Sequence, residues 1–512
     1  MRQPVGSYSR RRLVLTFAAL FALCHAGYYL AGIRLDTRHL TFGASAIDPE
    51  LLRHHLAQSI LYLHSQPALY NLFLGIIYKL FPGREAAAIT AVYLLLGLML
   101  YVTLFVLLRR MGVSAGLSLA LSTWFMVSPS FVLYEHAPAY TISVTALLAL
   151  SALAFHQLVR QPARRWAWCY FALVGVLGAL QALFHLVYYA GSAAAVMWLS
   201  PRRRRLLLLP ALAPFLLLLA IYTKNLVLFG RFTTSTWFGM NFAAVTVRAL
   251  PEEERRQLVA EGKLSPLALV KRFSELSAYP PGYANVHGFE GVPVLREATK
   301  STGAKNCNHL AYLALCDQYL KDDLYIVIHR PKTFLVGLLN AWLSYFRSSS
   351  DYPIFAPGDR QRTFAIRSFY DHLFFGEVPR YRLHLGGIRL YYTPGSEPRL
   401  YLFLLVGLPL LFRYGLLLGL RRGSPLTRDQ RLLVLYACAN ILYVAVCANF
   451  VEVSENQRFR FTTDPLSIVL LGAAIQYWAL PRLSRRGAGA AVAELQGTRA
   501  RRSRADQRDA RQ

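Results

Sequence analysis

Nine apolar blocks, most of them about 16 to 23 residues long, divide this chain, and blocks of that length cross a bilayer as helices. They lie at 13–33, 86–108, 114–134, 138–158, 167–200, 206–223, 400–420, 432–451 and 465–480. A soluble chain of 512 residues would show amphipathic periods instead, and a membrane β-barrel would show alternating segments of about ten residues. Neither occurs; 55% of the residues are apolar and 16% charged. The expected fold is an all-α polytopic membrane protein.

The formal net charge of +29 raises nucleic acid as a partner, but the basic residues sit in short clusters between the blocks rather than on one face of a domain. The positive-inside bias accounts for the same charge, so no nucleic acid is expected. Arg109-Arg110, Arg160 with Arg164-Arg165, Arg202 to Arg205, and Arg421-Arg422 with Arg428 and Arg431 are assigned to the cytoplasm. Arg10, Arg11 and Arg12 open the first block as they would a secretory signal, but Leu23-Cys24-His25-Ala26 is a poor cleavage site. An uncleaved first helix with residues 1–12 inside is expected, as is a basic, disordered cytoplasmic tail over 481–512. The chain is thus expected in the inner (plasma) membrane, with both termini cytoplasmic.

Parity then makes the 167–200 block two short helices turning near residues 185–189. It leaves 67–81, short and interrupted by Pro67, Asn71 and Lys79, as an interfacial helix. About ten crossings result: a module over 13–223 with a first outer loop at 34–85, a large outer loop over 224–399, and terminal crossings over 400–480. Six cysteines make no disulfide scaffold, and the helical run between Cys307 and Cys316 sets them too far apart to pair. No internal repeat of the kind found in many transporters is visible.

No GxxxxGK[ST], CxxC or HExxH motif occurs, so chemistry is sought among polar residues at the outer helix ends. In the first outer loop Asp48-Pro49-Glu50 reads either as a helix N-cap or as a carboxylate placed to take a hydroxyl proton. Asp36, just after the first block, is a solvated turn residue or a second such carboxylate. His54 and His55 are adjacent, point to different sides of a helix and read as surface residues. Tyr134-Glu135-His136 ends a crossing, where an acidic side chain is an interfacial cap or has a buried partner. Glu455-Asn456-Gln457-Arg458-Phe459-Arg460 breaks the positive-inside rule. Its arginines are suited to hold a phosphate, or else pair with Glu455 and Asp464. Lys224 poses the same choice. Arg413, near the cytoplasmic end of its block, reads as snorkelling.

At these residues the sequence resembles the GT-C superfamily of integral-membrane glycosyltransferases, which contains protein O-mannosyltransferases and lipid A aminoarabinose transferases. An acidic first loop (Asp36, Asp48, Glu50), the run His64-Ser65-Gln66-Pro67-Ala68-Leu69-Tyr70, similar to the family's His-Pro-Pro-Leu stretch, and Glu455 to Arg460, similar to its Glu-x-x-Arg-Tyr-Arg stretch, carry the resemblance. The adjacent Asp-Glu pair of the O-mannosyltransferases is absent, and the proline pair is reduced to Gln66-Pro67.

The resemblance implies transfer of a sugar from a polyprenyl-phosphate donor to a glycan, lipid or protein acceptor. Asp48, in preference to Asp36, would be the base, and Glu135 would orient a sugar hydroxyl. Arg458, Arg460 and Lys224 would hold the donor phosphate, and His64, Gln66 and Glu455 would line the substrate. No cofactor is required and a divalent metal is optional. The competing expectations are a polysaccharide polymerase or ligase, a transporter or lipid flippase, and a scaffold that has lost its chemistry.

Overall fold

The computed structural model describes residues 10–284, 286–378, 400–453 and 455–481. The expected 481–512 tail lies outside these residues beyond Pro481, as do most of the N-terminal segment, Ser454, and 379–399 of the large loop.

Ten helices or helix pairs occupy the ten expected positions. In chain order they begin with α1 (Arg10–Leu30), after which the interfacial α2 (Leu69–Leu80) precedes α3 (Glu85–Arg110). A bent pair, α4 (Ala115–Met126) and α5 (Pro129–His136), leads to α6 (Thr141–Arg160), α7 (Arg164–Leu180), α8 (Leu186–Leu199) and α9 (Arg204–Phe229). The large loop contributes α10 (Ala311–His329), α11 (Pro331–Tyr345), α12 (Pro357–Arg362) and α13 (Phe364–Tyr370). The chain re-enters the bundle as α14 (Leu408–Leu420), α15 (Arg428–Val451) and α16 (Asn456–Ala474). A two-residue antiparallel ladder joins Glu377–Val378 to Leu400–Tyr401.

The protein is a multi-pass, all-α membrane protein. Six of its described helices are individually long and apolar enough to cross a bilayer, or seven when α4 and α5, bent by 53°, count as one span. The expected ten crossings exceed this because α7 and α8 are short and α16 opens on charged residues. The bend has a local cause. Ser128 caps α5 by accepting from Phe131 N, and Pro129 sits at its first position, so one helix ends and another starts within the apolar block. The turn between α7 and α8 falls at 181–185, slightly earlier than expected.

α6 is the central helix, packed against α3, α7, α15 and α16. Its small buried residues Ala146, Ala149, Ser151, Ala152 and Ala154 let those neighbours approach closely. The basic turns collect at one end of the bundle, where Gln430 donates to Arg110 O (3.0 Å) and Tyr477 to Met111 O (2.8 Å). The first loop and the large loop meet at the opposite, loop end, as the charge pattern requires.

Two boundaries differ from expectation. α9 continues through the apolar Leu226 to Phe229 and stops only at Gly230, whose φ of 66° terminates it. Lys224 therefore belongs to a helix, not to the loop. α16 starts at Asn456 rather than at Pro465, because the pairs Glu455–Arg458 and Arg460–Asp464, spaced three and four residues apart, support a helical turn.

The large loop has small cores of its own, one built on Trp237, Met240, Tyr312, Leu315 and Tyr319, with Cys307 and Cys316 buried in it as free thiols. It is latched to the first loop by Lys300 Nζ, which donates to Gly43 O (2.8 Å) and Ala46 O (2.7 Å), and by Ser301 on Asp48.

Candidate functional site

Beyond α1 the chain turns at Gly32, where φ is 86°, and Ile33 anchors it in the core. Asp36 N then donates to His136 O at the end of α5 (2.7 Å), so the first loop is hung on the bent pair. The Asp36 carboxylate accepts from Arg38 N (3.1 Å), Nε (2.8 Å) and a terminal guanidinium nitrogen (2.6 Å), and lies 3.6 Å from His39 Nε2. Burial by itself would raise the Asp36 pKa; the Arg38 hydrogen bonds and the nearby His39 outweigh it and hold the group below its ordinary value. Asp36 is thus a carboxylate at neutral pH. His39 is shifted down, first by burial and further by the positive fields of Arg38 and Arg458, against the pull of Asp36.

Arg458 is near enough to His39 for its charge to depress the imidazole. Its guanidinium faces the rings of Phe459 (4.8 Å), Tyr140 (5.5 Å) and Tyr352 (5.6 Å) and pairs with Glu455 at 2.7 Å. Arg458 Nε and the Tyr134 hydroxyl are buried without a hydrogen bond, and the Tyr352 ring, stacked 6.2 Å from that of Tyr134, sets its hydroxyl toward Glu455. Buried donors without partners are rare, and two of them at one cation make a place for an anion.

Asp36 also borders an open cleft of about 370 Å³ with Gly32, Arg34, Leu35, Thr37, Ala356, Asp359 and Arg362. Asp359, in α12, is pushed above its ordinary pKa, first by burial and then by the negative charge of Asp36. Two carboxylates with pKa values displaced in opposite directions therefore share the cleft. A small cavity of about 40 Å³ is lined by Trp124, Phe125, Tyr370, Leu404, Leu411 and Asp464, among others.

Of the residues singled out in the sequence, Asp36, Arg458 and Glu455 belong to this cluster. Glu135 is next to it: its Oε2 pairs with His25 Nε2 at 2.5 Å inside the bundle, while the adjacent His136 carbonyl holds Asp36. The others are engaged elsewhere. Asp48 is the N-cap of the short helix Pro49–His54, accepting from Glu50 N (3.0 Å), and it also accepts from Ser301 N (2.6 Å) and Oγ (2.5 Å). Arg460 is buried and donates to Tyr345 O (2.8 Å), Arg347 O (2.5 Å) and Ser349 Oγ (2.7 Å). Lys224 Nζ donates to Leu63 O at 2.6 Å. His64 contacts Asn308 O and Thr236 Oγ1, and burial lowers its pKa to about 3, which makes it a neutral structural residue. Gln66 is half-buried. No group of three or more metal-binding side chains occurs among the described residues.

His39, Tyr140, Tyr352 and Asp359 were not found from sequence. Asp36-x-x-His39 is a spacing that joins side chains over one helical turn and was a usable signal for His39; Tyr352 and Asp359 reach the site only through the path of the large loop.

No protein-family model and no curated protein matches this chain. Among solved structures, ArnT from Cupriavidus metallidurans bound to undecaprenyl phosphate is similar at 14% identity over 91% of this chain and 78% of that one, with a TM-score of 0.34. The apo state of the same protein is similar at 13% identity over 90% and 77%, with a TM-score of 0.27. These values are too low to establish a shared fold, and the functional reading rests on the site residues.

Proposed function

We propose that this protein is a membrane glycosyltransferase that moves a sugar from a polyprenyl-phosphate donor to an acceptor hydroxyl at the outer face of the membrane. In this reading the loop end faces outward from the inner membrane and the basic turns face the cytoplasm. The observation that carries it is an ionised Asp36 on the open cleft with His39 beside it, and Arg458, whose buried Nε lacks a hydrogen bond, near enough to act on the same imidazole.

Transfer from a glycosyl phosphate needs an acceptor for the nucleophile's proton and donors for the departing phosphate. The acceptor oxygen bonds to the anomeric carbon as the bond from that carbon to the phosphate oxygen breaks, inverting the configuration. The proton passes to Asp36 and the electron pair leaves with the lipid phosphate. Arg458, held by Glu455 and by aromatic rings, meets the growing charge together with the Tyr134 hydroxyl. That donor set can serve a single phosphate, so a divalent metal is optional.

The test is turnover of polyprenyl-phosphate sugars by the purified protein in nanodiscs. Asp36→Asn is expected to lower kcat by about 10²–10⁴. Asp48→Asn is expected to lower thermal stability while keeping kcat within about tenfold, since its partners are a helix terminus and Ser301. A fully active Asp36→Asn protein would remove the proposed base, and an inactive but folded Asp48→Asn protein would return that role to Asp48.

A further inference from the structure

Two helices of the large loop are apolar on the side that faces away from the protein. In α11 the inward stripe is Gly337, Asn340, Ala341 and Ser344. Leu335, Leu339, Trp342 and Phe346 recur on the opposite side at helical spacing; Leu335 is 62% exposed, Leu339 is exposed and the two rings are half-buried. In α13, Arg367 and Tyr370 turn inward, whereas Ile366 and Phe369 point out, Phe369 being 68% exposed. A helix washed by water carries polar residues on such a face.

Both faces continue surfaces that already belong to membrane helices. The ring of Phe334, in the first turn of α11, lies 6.5 Å from Phe450, the exposed end of an α15 face that includes Leu442 and Val446. At its other end α11 is tied to α16, through Ser344 Oγ on Gln457 (3.2 Å) and Arg460 on Tyr345 O. α13 meets the bent span: Tyr370 donates to Trp124 O (3.1 Å), and Phe374, just beyond it, is 5.4 Å from the Trp124 ring. Lys332 is exposed in the first turn of α11, where a cation at the end of an interfacial helix reaches the headgroups, while the neighbouring Arg330 pairs with Glu254.

We propose that the outward faces of α11 and α13 are seated in the lipid leaflet at the loop end, so that the 331–375 segment is a membrane-docked strap and not a water-exposed part of the loop. The strap carries Tyr352 between its two docked helices and sets that ring over Arg458, which makes the bilayer part of what assembles the cluster. This inference does not depend on sugar transfer, because the apolar faces would need a cover whatever the reaction.

Hydroxyl-radical footprinting of the unmodified protein, one copy per nanodisc of zwitterionic and anionic phospholipid, tests it. Leu335, Leu339, Ile366 and Phe369 are expected to be protected as fully as the buried Leu267, while Leu269, exposed on the same loop, is modified. Modification of these four side chains at the level of Leu269, relative to intrinsic reactivity, would overturn the proposal. Protection that appears only in discs holding two copies would overturn it as well, by making the faces a protein interface.

Discussion

At the scale of single residues, Arg458 and Arg460 show how two similar side chains, two positions apart, take different work. Arg460 spends its donors on two carbonyls and a serine, with Asp464 beside it. Removing it leaves several buried acceptors unpaired, so Arg460→Ala should cost about 3 kcal/mol or more in thermal unfolding. Arg458 has a buried Nε in reserve, so Arg458→Ala should lower turnover by about 10²–10³ with a smaller loss of melting temperature. Asp323 gives a pH prediction. Its Oδ1 accepts from Thr246 (2.5 Å), its Oδ2 is buried without a partner, and burial, reinforced by Asp322, pushes its pKa well above the ordinary 3.8. A carboxyl raised in the folded state contributes fully below its unfolded pKa, and that contribution is lost as pH rises toward the folded value. Asp323→Asn should therefore stabilise the protein by on the order of 1 kcal/mol at neutral pH and by nothing below about pH 4, read from melting temperatures across that range.

At the scale of elements, close packing of α3 on α5 depends on Gly97. A Cβ there would lie 1.5 Å from Glu135 Oε1, so Gly97→Ala must displace the carboxylate from His25. A loss of about 2–3 kcal/mol in thermal unfolding is expected, together with lower turnover, because the displaced segment also carries the His136 carbonyl that holds Asp36. Most membrane helices were legible in the sequence because block length and flanking arginines are local quantities. Ser128-Pro129, a cap followed by a first-turn proline, lies inside an apolar run that read as one span. The start of α16 was obscured for the opposite reason: its first turns carry Arg458, Arg460 and Asp464, which composition alone assigns to a loop.

At the scale of the whole molecule, the large loop and the membrane bundle are joined by a few buried polar contacts. Arg272 reaches Glu452 with two hydrogen bonds of 2.9 and 2.6 Å, just ahead of the helix that carries Arg458. Arg272→Ala would leave that carboxylate buried with its cation gone, at a cost of about 3–5 kcal/mol. It should also loosen the loop enough to raise its rate of limited proteolysis in nanodiscs. Block lengths, basic clusters and their parity, read from the sequence by themselves, determined that the chain is a helical membrane protein and which ends of its helices share a side. Tertiary structure alone decided which partners the polar residues meet. Asp48 meets Ser301, Arg460 meets Tyr345 and Arg347, and Lys224 meets Leu63, while Asp36 is hung on the end of α5 with Arg38 and His39 on its carboxylate. The physical reason is one of range. Apolar transfer into a bilayer is a property of each segment, whereas the availability of a buried charge depends on partners that chain topology delivers from far away in the sequence.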